Sequence, residues 1–254
     1  MRPRALSAMV AAALVVASSV LAAVAFAGGS HSRPPTPRLT VFAAASLTNV
    51  FPRIDGRERY SFGGSNMLAA QIEQGLPADV FASANTGLPW QLHRKGLVTR
   101  PVVFTSNKLV VVVARGNPLH LHSIRDLERS GLKIVMAAAG VPVGDYTRKV
   151  LKRLGLSDLV DKAVSQETDV REVLAKVVLG EADAGFVYAT DARTVKGKVG
   201  VLGLPKSAQP QVLYAAAAVK SSKHLQAAKT WIRRLLTRRA QTKLRAAGFL
   251  PIPR

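Results

Sequence analysis

Val41-Phe42-Ala43-Ala44-Ala45-Ser46 reads as an apolar strand that runs into small residues and a hydroxyl where a helix begins. The pattern recurs at Tyr60-Ser61-Phe62-Gly63-Gly64-Ser65, at Val141-Pro142-Val143-Gly144 and at Glu167-Thr168-Asp169-Val170. The start of a helix carries backbone N–H groups without intrahelical partners and a partial positive charge, so it attracts anions. Four such starts brought together would form a socket for a small oxyanion.

Outward from these segments, short apolar strands alternate with helical stretches. Strands are expected at 39–42, 60–62, 80–82, 109–114, 134–137, 184–187 and 213–219, most of them continuous apolar runs suited to burial on both faces. Helices are expected from near Leu47, Asn66, Gly144, Val170 and His224. This alternation predicts an α/β fold with mainly parallel sheets, in which ligands bind beyond the C-terminal ends of the strands. The four segments lie at such ends. Gly116-Asn117-Pro118 punctuates the chain after its most apolar strand, and a second break runs from Pro205 to Pro210. They predict a crossing between two lobes and a return: first lobe 38–116, second lobe 117–211, first lobe again 212–254.

The beginning of the chain reads as an export signal. Arg2 and Arg4 precede an apolar stretch, and Ala25-Phe26-Ala27 fits a small-x-small cleavage pattern. Residues 1–27 are the expected signal and 28–37, polar and proline-rich, a flexible linker. A retained membrane anchor is the alternative reading of the apolar stretch. The sequence has no cysteine, which excludes disulfides, thiolate metal sites, a catalytic thiol and a lipid anchor on cysteine. Its net charge is +21. Such a balance attracts anionic surfaces, but export and the lack of a recognition motif argue against nucleic acid.

Taken in order, several segments resemble one family, the molybdate-binding proteins of ABC transporters. They are Val41-Phe42-Ala43-Ala44-Ala45-Ser46-Leu47-Thr48, Phe62-Gly63-Gly64-Ser65, Leu68-Ala69-Ala70-Gln71-Ile72, Gly75-Leu76-Pro77-Ala78-Asp79-Val80, Val141-Pro142-Val143-Gly144-Asp145-Tyr146, Asp169-Val170-Arg171 and Gly185-Phe186-Val187-Tyr188. The resemblance spans most of 38–254. It implies a two-lobed, type II periplasmic-binding-protein-like fold with the ligand cleft between the lobes. It also implies a ligand set: the hydroxyls of Ser46, Ser65 and Tyr188, and the backbone N–H groups of Val143 and Val170. The implied ligand is molybdate or tungstate, bound as an oxyanion with no metal-cation site and no cofactor. The implied partner is an ABC permease at the outer face of the cytoplasmic membrane, served by a monomer. One departure stands out. Pro52, Asp55-Gly56, Arg57 and Arg59 compress the stretch between Ser46 and Ser65, where the family has a longer first helix and second strand.

A socket of donors suits a fully deprotonated dianion. Phosphate keeps a proton at neutral pH and wants an acceptor, and leaving a buried hydrogen bond unmade costs roughly 1–3 kcal/mol. Asp145 and Asp169 are the nearby acceptors; both are expected to face solvent or their own helix starts. Other readings of these residues stand beside this one. Ser46 and Ser65 could be plain N-caps and Tyr188 a core tyrosine. Sulfate or another small oxyanion on the same fold is the alternative ligand. Catalysis finds little support: Ser130-Gly131-Leu132-Lys133 has Ser-x-x-Lys spacing but precedes a strand, and His120 and His122 lack carboxylate partners.

Overall fold

The computed structural model describes residues 37–253. The expected signal, and the linker up to residue 36, lie outside the described residues. Two five-stranded sheets carry the fold. The first contains β1 (Thr40–Ala44), β2 (Arg59–Gly63), β3 (Val80–Ser83), β4 (Val102–Asn107) and β10 (Val212–Ala218), in the order β2-β1-β3-β10-β4. The second contains β5 (Leu109–Ala114), β6 (Ile134–Ala137), β7 (Ala163–Glu167), β8 (Ala184–Tyr188) and β9 (Val199–Gly203), in the order β7-β6-β8-β5-β9. In the first sheet only β10 runs against its neighbours; in the second only β5 does. The sheets are therefore mainly parallel in direction, each with one reversed strand near an edge.

That reversal moves the lobe boundary. Residues 38–116 were expected to belong to the first lobe, yet β5 pairs with β8 and β9 of the second sheet. The chain crosses at Lys108, between β4 and β5. Gly116-Asn117-Pro118 is a turn inside the second sheet's half: Asn117 N–H donates to the Ala114 carbonyl at 2.9 Å, and Asn117 and His120 both have φ of 51°. A glycine-proline break marks where the chain turns, and here it turns after the crossing. The outgoing and returning passages are clamped together. Gln209 Oε1 accepts from Leu109 N–H at 3.0 Å and its Nε2 donates to the Leu109 carbonyl at 3.1 Å.

The helices fill the faces. α1 (Phe51–Ile54) is one turn with Pro52 in its first turn, preceded by a 3₁₀ turn over Ala45–Leu47; the helix expected from Leu47 is divided into these two pieces. α2 (Ser65–Glu73) and α3 (Gly87–Arg94) pack on the first sheet through Leu68, Ala69, Ile72 and Leu92. α4 (Pro142–Leu154) has proline at its start, where the missing N–H costs nothing, and ends at Gly155 with φ of 72°, a left-handed cap. α5 (Val170–Val178) buries Val170, Val173, Leu174 and Val177 against β8. α6 (Ala189–Thr194) follows β8 directly, and α7 (Leu225–Leu235) and α8 (Arg238–Ala246) close the first half. Gly144 lets α4 sit against the end of β6: a Cβ there would lie 2.3 Å from the Ala138 carbonyl oxygen.

The compressed stretch after Ser46 is tied down by buried acids. Glu58 is 5% exposed and accepts from Leu39 N–H at 2.6 Å. Asp55 bonds Arg57 and Arg234, and the Tyr60 hydroxyl donates to the Asp55 carbonyl at 2.6 Å. Burial raises the Glu58 carboxyl above its ordinary pKa, as expected for an acid held at a fold junction. Beyond this stretch β1 and β2 pair in parallel register from Thr40↔Arg59 to Ala44↔Gly63.

Candidate functional site

Ser46, Ser65, Val143, Val170 and Tyr188 line one cavity, together with Ala44, Ala45, Gly63, Gly64, Ala84, Val141, Pro142 and Asp169. About 210 Å³ of non-atom space lies within it and at its open mouth, and the enclosed part is about the size of one water molecule, so a sugar or a peptide does not fit. Among the described residues no lysine or arginine lines the cavity.

The donors arise from how each helix starts. The 3₁₀ turn after β1, α2 and α4 have no side-chain cap. Ser46 lies inside its turn and Ser65 is the first residue of α2, so neither serine is an N-cap. Val143 is the second residue of α4, and its N–H has no intrahelical partner by position. α5 is capped, but selectively: Asp169 Oδ1 accepts from Arg171 N–H at 2.6 Å and Glu172 N–H at 3.2 Å, which leaves the N–H of Val170 to the cavity side.

Hydroxyls complete the set. Ser65 Oγ accepts from Ala84 N–H at 3.1 Å, so its own proton is free to be donated. Ser46 Oγ lies 2.8 Å from Tyr214 Oη. Tyr188 is 1% exposed, and its buried Oη has no hydrogen-bond partner among the described residues. A buried, unpaired hydroxyl is costly, and one that faces a cavity is a standing donor for a ligand. Burial, then Tyr214, Tyr146 and Asp191, hold the Tyr188 hydroxyl well above its ordinary pKa, so it remains protonated.

The two acids near the cavity each accept from backbone N–H groups. Asp145 turns to Gly140, whose N–H donates to Oδ1 at 2.8 Å. Asp169 borders the cavity but spends Oδ1 on its own helix start, and burial raises its pKa. Arg171 turns away from the cavity. Its Nε lies 2.9 Å from Asp191 Oδ1, an ion pair without hydrogen-bond alignment, and its Nη2 donates to Asn49 Oδ1 at 3.0 Å in the first half. Asp191 is fully buried, and desolvation pushes its pKa up to about 7 against the pull of Arg171.

The halves touch closely at Gly64. A Cβ on Gly64 would stand 2.4 Å from the carbonyl oxygen of Thr168, across the cavity. Gly64 is thus needed for backbone-to-backbone approach and not for its φ, an ordinary −58°, whereas a Cβ on Gly63 would meet nothing. Sequence reading missed Asn107 and Tyr214, which stand behind Ser46. The available signals were a tyrosine in an alanine-rich strand and an asparagine ending one.

The profile of a family described as bacterial extracellular solute-binding protein matches residues 39–250. The molybdate-binding protein ModA of Mycobacterium tuberculosis H37Rv is 35% identical over 91% of this chain and 95% of its own length. ModA of Escherichia coli K12 is 33% identical over 78% of this chain and 84% of its own. The solved periplasmic molybdate-binding protein of Azotobacter vinelandii superposes with a TM-score of 0.76 over 85% of this chain and all of its own, at 23% identity, and so shares the fold. Two sheets with one reversed strand each, a donor-lined cavity and these likenesses lead to one assignment: the chain belongs to the bacterial extracellular solute-binding proteins, among the relatives of ModA.

Proposed function

We propose that this protein captures molybdate, and with it tungstate, outside the cytoplasmic membrane and delivers it to an ABC permease. The observation that carries the reading is the buried Tyr188 hydroxyl, unpaired and lining a small cavity with the other donors. Ser46, Ser65 and Tyr188 donate through hydroxyls; Val143 and Val170 donate through backbone N–H. Molybdenum enters only as its oxyanion, so no metal-cation ligand or cofactor is needed. Hydrogen bonds to an ionised partner are about twice as strong as neutral ones, and several in a dry site can support a Kd of about 10 nM, on the order of −11 kcal/mol. The protein binds and does not catalyse. It acts as a monomer after removal of 1–27, and the ligand shifts an open–closed equilibrium of the two halves.

Thermal unfolding of residues 28–254 with each anion tests this. Ligand at about 100 times Kd adds roughly 2.7 kcal/mol, which for a chain of this size raises Tm by roughly 5–11 °C. A rise with molybdate and tungstate and little with sulfate or phosphate supports the reading. A rise with sulfate alone changes the ligand, and no rise removes the function.

A further inference from the structure

We infer that Asn107 and Tyr214 are positioning residues that force Ser46 to act as a hydrogen-bond donor, and so select anions carrying no proton. This deepens the proposed function and rests on it for its ligand.

Asn107, the last residue of β4, is 4% exposed. Its Oδ1 accepts from Lys108 N–H at 2.9 Å, which fixes the amide's orientation. Nδ2 must then face the other way, where it donates to Thr190 Oγ1 at 2.8 Å and lies 3.4 Å from Tyr214 Oη. An amide nitrogen can donate but never accept. Tyr214 Oη has two polar neighbours, Asn107 Nδ2 and Ser46 Oγ. Its proton therefore has one acceptor available, Ser46 Oγ at 2.8 Å. With that lone pair occupied, the Ser46 proton is directed away from Tyr214, towards the cavity that Ser46 lines.

The tyrosine is built for this. It is fully buried, and its ring meets Phe104, Tyr188 and Phe249 edge-on. The register of β10 on β4 shifts between Tyr214 and Ala215, a bulge of the kind that re-aims a side chain. Ser65 is constrained in the same sense by Ala84 N–H, and Tyr188 has no protein acceptor. Ser46 and Ser65 each have one lone pair engaged by a protein donor and turn their protons to the cavity, while Tyr188 is free to donate. Hydrogen phosphate, which must also donate, competes for serine oxygens whose acceptor capacity is already partly used.

Two measurements test the inference. In the first, molybdate and phosphate Kd values are compared for the wild type, Tyr214→Phe and Asn107→Asp, each checked for folding by ligand-free thermal unfolding. Tyr214→Phe frees the Ser46 lone pair. It should weaken molybdate by roughly 3- to 10-fold and reduce discrimination against phosphate by about 10-fold or more. Asn107→Asp offers Tyr214 a competing acceptor and should weaken molybdate further. Equal weakening of both anions, or no change in their ratio, overturns the inference, since lost packing alone would act on both alike. The second measurement needs no ligand. Neutron diffraction of the deuterated wild-type protein should place the deuteron between Tyr214 and Ser46 on the tyrosine oxygen; finding it on the serine overturns the relay. Should the wild type bind no oxyanion, the proposed function fails, while the deuteron position still decides the direction of the relay.

Discussion

The two sides of the cavity hold their donors by different means. The first half offers two serine hydroxyls, each held by a partner of its own: Ala84 N–H for Ser65 and Tyr214 for Ser46. The second half offers two backbone N–H groups at the starts of α4 and α5 and one tyrosine hydroxyl. A side-chain donor can be deleted by a single substitution. A backbone donor persists through almost any substitution, and its placement depends on the helix behind it. The first half is therefore legible from residue type and the second only from position. The difference teaches that, on the proposed reading, a valine serves the ligand through its place at a helix start and not through its side chain.

The comparison breaks most completely where the halves meet. Gly64→Val places side-chain atoms against the Thr168 carbonyl, so titration calorimetry should show molybdate affinity lowered by about 100-fold or more. Ligand-free Tm should change far less, because the open arrangement relieves the clash. Tyr188→Phe comes next. It removes a donor to a charged partner, worth about 1.5–3 kcal/mol, and should weaken binding by roughly 10- to 150-fold with the fold intact.

A sharper contrast comes from Val170. Proline fits the first position of a helix, and Asp169 already has the extended conformation that precedes a proline, with φ of −153° and ψ of 175°. Val170→Pro deletes the N–H and exchanges the buried isopropyl group for a ring, and should weaken molybdate by about 10-fold or more. Val170→Ala keeps the N–H and should leave affinity within about threefold, while losing roughly 2 kcal/mol of stability from its buried methyl groups. Equal effects of the two substitutions would show that the valine side chain matters and the backbone donor does not.

The smallest effect concerns pH. The folded pKa of Asp191, about 7, stands above its ordinary 3.8 because burial disfavours the charge. Its contribution to stability is therefore complete below about pH 4 and is lost as pH rises through 7. Ligand-free Tm of the wild type should decline across that window relative to its own acidic value, and Asp191→Asn should flatten this decline. Parallel profiles would remove Asp191 as its source.

Strands in the middle of the sheets were legible because they are continuous apolar runs: β1, β3, β5, β6, β8 and β10 were all expected. Three strands were not. β4 ends in Thr105, Ser106 and Asn107, which are buried yet polar because Leu250, Pro251 and Thr190 satisfy them. β7 alternates between half-buried and exposed residues, and β9 contains two glycines; both are edge strands that bury too little to print an apolar signal. α3 was hidden by Gly87 and Pro89, which read as breakers although both sit in its first turn. The five residues singled out from the sequence do line one cavity, but each sits at the junction of a strand and a helix, where small residues leave a local mark. Asn107 and Tyr214 leave only a polar residue type in an apolar strand, because their meaning depends on segments distant in sequence coming together. The crossing at Lys108 was illegible for a related reason: β4 and β5 are separated by one residue, and nothing local distinguishes a change of sheet from a kink within one.

Three of the four helical starts around the cavity carry no side-chain cap. In most proteins the gene supplies that residue; here an anion from the environment would fill the role. The first turns of α2 and α4 then become the part of the molecule whose order depends on supply. In anion-free buffer their amides should exchange hydrogen faster than those of the capped α8, and saturation should slow them together. A cell short of the anion would hold a protein that is folded at its sheets and loose at its mouth, so that looseness would itself report scarcity to whatever touches that face.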